Sequence, residues 1–489
     1  MLTRLKVSGF KNLVDVDISF GPFTCIAGAN GTGKSNLFDA INFLSNLTEN
    51  NLIQAASKVR NEEGGSTDVR NIFHRLGDSY DNRMSFEAEM IISSEGIDDL
   101  GQKAQATITF VSYSLELMYQ IDENSTTLGS IKILREELNR IKLGDFSAHM
   151  KFPHAPKWRK SILKGRRTSP FISTKGEGED CIIKLHQDRR KAGRPREFKA
   201  IDMPRTLLST VNAMESPTAL LTRREMQSWR IQQLEPSALR EPDRFTDPPR
   251  LTIKGGHLPA SLYFLARSFQ SNQNHELPKT WIYDQMASRL SELIEEVDTV
   301  KVDRDEKREI LTMIVKHRDA TEHPADCLSD GTLRFLALSL IELDDKTSGL
   351  ICLEEPENGI HPGRIPAILK LLQDIAMDVE EPMESDSSLR QVIVNTHSPR
   401  IVHRVLEESL VIAELREIVK GNARFKGASF SCLPGTWRTK VGEEVPTVAL
   451  GDLLYYINPY KGKPRQGQKR RVMDREDIQR YLPFNDPEE

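Results

Sequence analysis

Near the start of the chain, apolar and polar residues alternate. Leu5 and Val7, then Val14, Val16, Ile18 and Phe20, mark two strands around a turn at Gly9-Phe10-Lys11-Asn12. Phe23–Ala27 is an unbroken apolar strand, and Asn36–Leu44 carries its apolar residues at helical spacing. Met84–Met90 and Ala106–Tyr113 alternate again and are expected to continue the first sheet. Two helices are expected within 215–250, one at 258–268 and a longer one at 281–295. Residues 326–415 return to the strand–helix rhythm of a parallel sheet. No heptad pattern and no internal repeat persists between these blocks.

Between the first apolar strand and its helix lies GANGTGKSN, residues 28–36. Gly28, Gly33, Lys34 and Ser35 fit GxxxxGK[ST], and strand–turn–helix is the context such a loop needs. Backbone N–H groups around Asn30, Gly31, Gly33, Lys34, Ser35 and Asn36 can cradle phosphates, aided by the helix dipole. Lys34 is expected to reach the β- and γ-phosphates of ATP, and Ser35 to hold Mg2+.

Composition narrows the class. The chain has 489 residues, a net charge of −4 and 28% charged residues, an ordinary balance for one large core or two to three smaller ones. No apolar run approaches the length of a membrane span, and the N-terminus lacks a signal peptide's apolar core, so a cytoplasmic protein without membrane contact is expected. Cys25, Cys181, Cys327, Cys352 and Cys432 are scattered, which suits reduced thiols and no structural zinc site. Residues 151–200 hold fifteen Lys or Arg against five Asp or Glu, an exposed basic stretch ending in RRKAGRPREFK. A second basic cluster spans Lys461–Arg471.

Three further motifs carry chemistry. LICLEEP (350–356) is an apolar strand that delivers two carboxylates to its C-terminal edge, Glu354 toward Mg2+ and Glu355 toward the attacking water. LSDG (328–331) offers a hydroxyl and free N–H groups at a helix start through Ser329, Asp330 and Gly331. QVIVNTHSP (391–399) ends a third strand in His397, which can hold the water or donate to the γ-phosphate. Alone, each has an ordinary reading: an acidic turn, a capped helix, a structural histidine.

The order phosphate loop, LSDG, Glu-Glu strand, His strand resembles the ATP-binding-cassette ATPases. Almost three hundred residues separate loop and signature here, against roughly a hundred in a transporter cassette, so a pump is not expected. LKVSGFKNLVDVDISF, LSDGTLRFLAL, EEPENGIHP and NTHSP are similar to the RecF and SMC-like branch. Closer still, they resemble bacterial antiphage-defence ATPases classed as AAA-family but built like ABC heads: the Septu and PARIS ATPases and the ATPase half of OLD and Gabija nucleases. WRIQQLEPSALREP and GGHLPASLYFL are weaker family-like stretches. Glu354 departs from the usual Asp, and a Q-loop glutamine is not placed.

The resemblance implies an α/β, ABC-ATPase-like head with a mixed N-terminal sheet, a parallel P-loop core and an α-rich inserted region. It assigns 1–120 and 271–430 to the head, 121–270 to the insertion and 431–489 to an extension. It implies catalysis by Glu355, His397 and Lys34, and metal binding by Ser35 and Glu354. Ser329, Asp330 and Gly331 would act in trans, so ATP would glue a homodimer or larger oligomer. A switch of this kind would hydrolyse ATP slowly, sense phage protein or DNA, and control a separate effector, a nuclease, since no clustered carboxylates of a Toprim domain follow His397. A RecF-like DNA-repair or DNA-end ATPase is the alternative, with Arg166-Arg167, Arg189–Lys199 and Lys461–Arg471 as phosphate contacts.

Overall fold

Alternation decides the first sheet. In Phe110–Gln120, Val111, Tyr113, Leu115 and Leu117 point inward, and in Arg83–Ile91, Met84, Phe86, Ala88 and Met90 do the same. The computed structural model describes residues 1–59, 68–120, 129–165, 169–188, 194–272, 280–345, 347–383, 389–420, 423–439 and 445–449. The chain divides into two units, Met1–Val448 and Ala449–Glu489; beyond Ala449 the second lies outside the described residues, as do Arg166, Arg167, Arg189–Lys191 and the cluster Lys461–Arg471.

Eight antiparallel strands form the N-terminal sheet, in the order Arg196–Lys199, Ile182–Leu185, Ile172–Lys175, Ser130–Arg140, Phe110–Gln120, Arg83–Ile91, Leu2–Ser8 and Val16–Ser19. The second sheet is the core. Arg230–Gln232, Gly349–Glu354, Arg390–Thr396, Phe23–Ala27 and the first residues of Leu410–Lys420 lie parallel, and Ala423–Cys432 closes the edge as a hairpin. Helix Lys34–Leu47 joins the two sheets: Phe43 meets Phe10 at 5.9 Å and Phe86 at 5.7 Å, and one apolar cluster runs from Leu5 to Ile393. A smaller sheet, built on Val297–Asp305 and Ile310–His317, packs with helices Leu258–Asn272 and Trp281–Ser291, and helix Asp330–Leu343 packs against those two helices.

This is the expected α/β arrangement of mixed sheets, with one correction. Residues 130–199 of the supposedly α-rich insertion instead supply four strands that widen the N-terminal sheet. Helices dominate only its later part, at Pro217–Gln227 and Leu258–Asn272. The three outer strands are four residues each, too short for alternation to stand out in a basic, polar sequence.

A register shift between Ile133 and Arg135 changes which face the following residues take, and Glu136 turns inward. Its carboxylate is fully buried and accepts Leu207 N at 2.7 Å, Leu208 N at 2.8 Å and the Tyr113 hydroxyl at 3.2 Å. Burial pushes its pKa up to about 7, against the pull of those donors. A raised carboxyl pKa contributes stability that is fully present below the unfolded value near 4.5 and is lost as pH rises through about 7. Denaturant melts from pH 4.5 to 8 should therefore show a downward contribution of about 3 kcal/mol. Glu136→Gln should remove that slope; an unchanged slope would reject the assignment.

Candidate functional site

The five residues of Phe23–Ala27 are buried, so the chain leaves the core sheet at Gly28 with its backbone fixed. A Cβ on Gly28 would lie 2.3 Å from Ala413 O, which only glycine avoids. Gly33 caps helix Lys34–Leu47 at φ +103°, and a Cβ there would meet the Ala428 methyl at 2.6 Å. The C-terminal hairpin thus presses on the phosphate loop from behind, and Asn36 ties the loop to Asn12 at 2.8 Å. Lys34 Nζ donates to Gly28 O at 2.7 Å and Ala29 O at 2.8 Å. Burial lowers its pKa, while Glu355, Glu354 and Glu357 oppose that shift.

The acidic strand Gly349–Glu354 lies beside the histidine strand Arg390–Thr396 in parallel register, with Glu354 level with Asn395. Their ends therefore reach the same edge as the phosphate loop. Glu355 takes φ +46°, a strained turn fixed by its N–H donating to Asn395 O at 3.0 Å. Both its carboxylate oxygens are held: Oε1 pairs with His397 Nδ1 at 2.6 Å, and Oε2 accepts Asn358 Nδ2 at 2.7 Å. A carboxylate locked in this way can orient and polarise a water without first reorganising. Thr396, just before His397, donates to the buried Glu357.

Asn30, Gly31, Gly33, Lys34, Ser35, Asn36, Glu354 and Glu355 line one open cleft of about 550 Å3. His397 joins it through Glu355. Ser35 and Glu354 are oxygen donors on that cleft, and the Glu354 carboxylate makes no hydrogen bond or ion pair among the described residues. Such a donor pair fits Mg2+, which Ser35 and Glu354 would hold and which would offset the charge of a bound phosphate.

The signature lies elsewhere. Ser329 Oγ accepts Thr332 N at 3.2 Å as the cap of helix Asp330–Leu343, and Ser329 and Asp330 are exposed. Asp330 pairs with Arg240 at 2.6 Å, and a Cβ on Gly331 would sit 2.4 Å from Gly359 O. None of the three lines the cleft.

Sequence reading missed Gln233, Glu235, Arg334, Asn358 and Asn395 on the cleft wall. Gln233 and Glu235 follow the short core strand Arg230–Gln232, with Leu234 between them at φ +49°. The strand signal in WRIQQLEP was there to find; its place beside the acidic strand was not.

A model described as "AAA ATPase domain" matches residues 1–165, and one described as "AAA domain, putative AbiEii toxin, Type IV TA system" matches 217–403. An OLD nuclease of Thermus scotoductus is 46% identical over 44 residues, 9% of this chain and 8% of that protein. DNA replication and repair protein RecF of Magnetococcus marinus is 36% identical over 81 residues, 15% of this chain and 21% of that protein. The matches thus span under a quarter of either relative's length. Among solved structures, an SMC head bound to the C-terminal winged-helix domain of ScpA aligns at 13% identity, TM-score 0.46, over 88% of this chain and 98% of that one. The SMC head of Thermotoga maritima aligns at 12% identity, TM-score 0.36, over the same shares. The chain therefore carries AAA-type ATPase sequence in two blocks, 1–165 and 217–403, and folding brings their residues together around one cleft.

Proposed function

We propose that the protein is an ATP-driven switch: it binds and hydrolyses ATP, closes on a second copy of itself, and thereby controls a separate effector in antiphage defence. The observation that carries this reading is a cleft holding Lys34, Ser35, Glu354 and Glu355, while Ser329 and Asp330 stand outside it, exposed at a helix start, with the buried Gly331 next in the chain. Free N–H groups at such a start suit the γ-phosphate bound by another copy. Gln233 takes the role of the Q-loop glutamine, sensing the nucleotide at the edge of the core sheet. The match to a toxin-type AAA domain and the short OLD nuclease stretch favour defence, with a nuclease as the effector.

Mass photometry with and without ATP–Mg2+ tests the switch. Wild-type protein should shift to dimer or larger on adding ATP. Lys34→Ala should not, because losing a charged phosphate contact costs about 1.5–3 kcal/mol, or about 10–100-fold in ATP affinity. An assembly indifferent to ATP would sink the proposal. Co-expression with the adjacent gene product tests the effector: no co-purification would remove that part alone.

The RecF match supports a second reading, a DNA-end-binding ATPase. It requires ATP to strengthen salt-sensitive DNA binding; DNA affinity unchanged by ATP would reject it.

A further inference from the structure

Beyond the phosphate-loop lysine, the cleft contains a second cation that no motif assigns. Arg334 sits on helix Asp330–Leu343, one turn past the signature, yet its side chain lines the cleft of its own chain. Two backbone carbonyls anchor it: Nε donates to Leu234 O at 3.0 Å, and Nη1 donates to Asn358 O. The first carbonyl belongs to Leu234, at φ +49°, and the second to Asn358, whose N–H closes a turn on the strained Glu355. No carboxylate forms an ion pair with Arg334 among the described residues, and its Nη2 makes no hydrogen bond there. Asp330, Glu355 and Glu357 act on it only at a distance.

A guanidinium held by neutral carbonyls keeps its full charge for something else. A structural arginine in a half-buried place would be expected to face an acid. Asn358 adds a second argument. Its carbonyl holds Arg334 while its side-chain amide holds Glu355, so one residue sets the cation and the water-activating carboxylate on the same wall.

We infer that Arg334 is a catalytic residue of this cleft, its guanidinium binding the terminal phosphate of the nucleotide held by the same chain's phosphate loop. The inference rests on the ATP reading above. Charge in phosphoryl transfer spreads over the equatorial oxygens, and fixed cations around it stabilise it. Lys34 supplies one and Arg334 the other, through a planar fork that suits phosphate. The signature helix then touches its own chain's nucleotide through Arg334 and offers its N-terminus to a second.

Steady-state hydrolysis at saturating ATP–Mg2+, with ATP and ADP affinities measured separately, tests this. Arg334→Ala should slow hydrolysis by about 100-fold or more. It should weaken ATP about 10-fold while leaving ADP within about twofold, because only ATP has the contacted phosphate. Equal loss for both nucleotides, or turnover within about threefold of wild type, would overturn the assignment and leave the ATP reading standing. Wild-type protein that binds no ATP would overturn the ATP reading itself. Should Arg334→Ala not fold, Arg334→Lys decides: a lysine keeps the charge but, as a compact point donor, lacks the planar fork whose separate nitrogens reach the two carbonyls and the phosphate. At wild-type melting temperature it should lose about 10-fold in turnover; full turnover would reject the role.

Discussion

Glu355→Gln should reduce ATP turnover by about 100- to 10,000-fold while nucleotide stays bound. Glutamine is nearly the same shape, so the strained turn and the Asn395 contact survive, but the group can no longer take charge or polarise water. His397 and Asn358 now converge on the two carboxylate oxygens from either side. With an amide, the oxygen can still accept from Asn358 Nδ2 and the nitrogen can donate to His397 Nδ1, so the local network and the phosphate loop survive while the charge is lost. Phosphate release in the steady state and retention of labelled nucleotide after gel filtration separate the effects. The expected result is a trapped, ATP-loaded assembly. Rapid nucleotide loss equal to that of Lys34→Ala would show that the division of roles between the two residues is wrong.

The second large effect is expected at Ser329. Arginine there adds a long charged side chain at the exposed helix start where a second copy's phosphates would dock. ATP affinity of the monomer should stay within about threefold, because Ser329 lies outside the cleft of its own chain. Closure should fail, since burying an unmatched bulky charge costs about 3–5 kcal/mol, or more than 100-fold in assembly. Losing the cap removes about 1 kcal/mol of helix stability, a small fall in melting temperature that Ser329→Asp should avoid. ATP-driven dimers of Ser329→Arg, seen by mass photometry, would refute the in-trans assignment.

The positions that gather at the cleft were legible wherever they followed a continuous apolar strand. The phosphate loop, Glu354, Glu355 and His397 each follow such a strand, and parallel pairing brings those strand ends to one edge. Residues reached by turns were not legible. Asn358 follows a strained carboxylate, Gln233 follows a three-residue strand, and Arg334 lies within a helix whose pattern reads as core. Polar residues in loops have no periodicity, so only the fold shows which of them converge. The same limit applies to the hairpins Val297–His317 and Leu410–Cys432, whose strands mix charge with apolar residues. Glu136 shows a different failure. Its inward direction depends on a one-residue bulge, which reverses an otherwise readable alternation.

The order of strands in the core sheet has a consequence for biosynthesis. The phosphate-loop strand Phe23–Ala27 is flanked by Arg390–Thr396 on one side and Leu410–Lys420 on the other. It emerges among the first strands from the ribosome, but its neighbours emerge more than 360 residues later. At the usual rate of synthesis the loop waits on the order of 20–70 s for its sheet. During that time the early apolar strand depends on the N-terminal sheet, or on a chaperone, to stay out of aggregates. A nascent or prematurely ended chain therefore has no nucleotide cleft. The cleft is completed only once the last core strands have been translated.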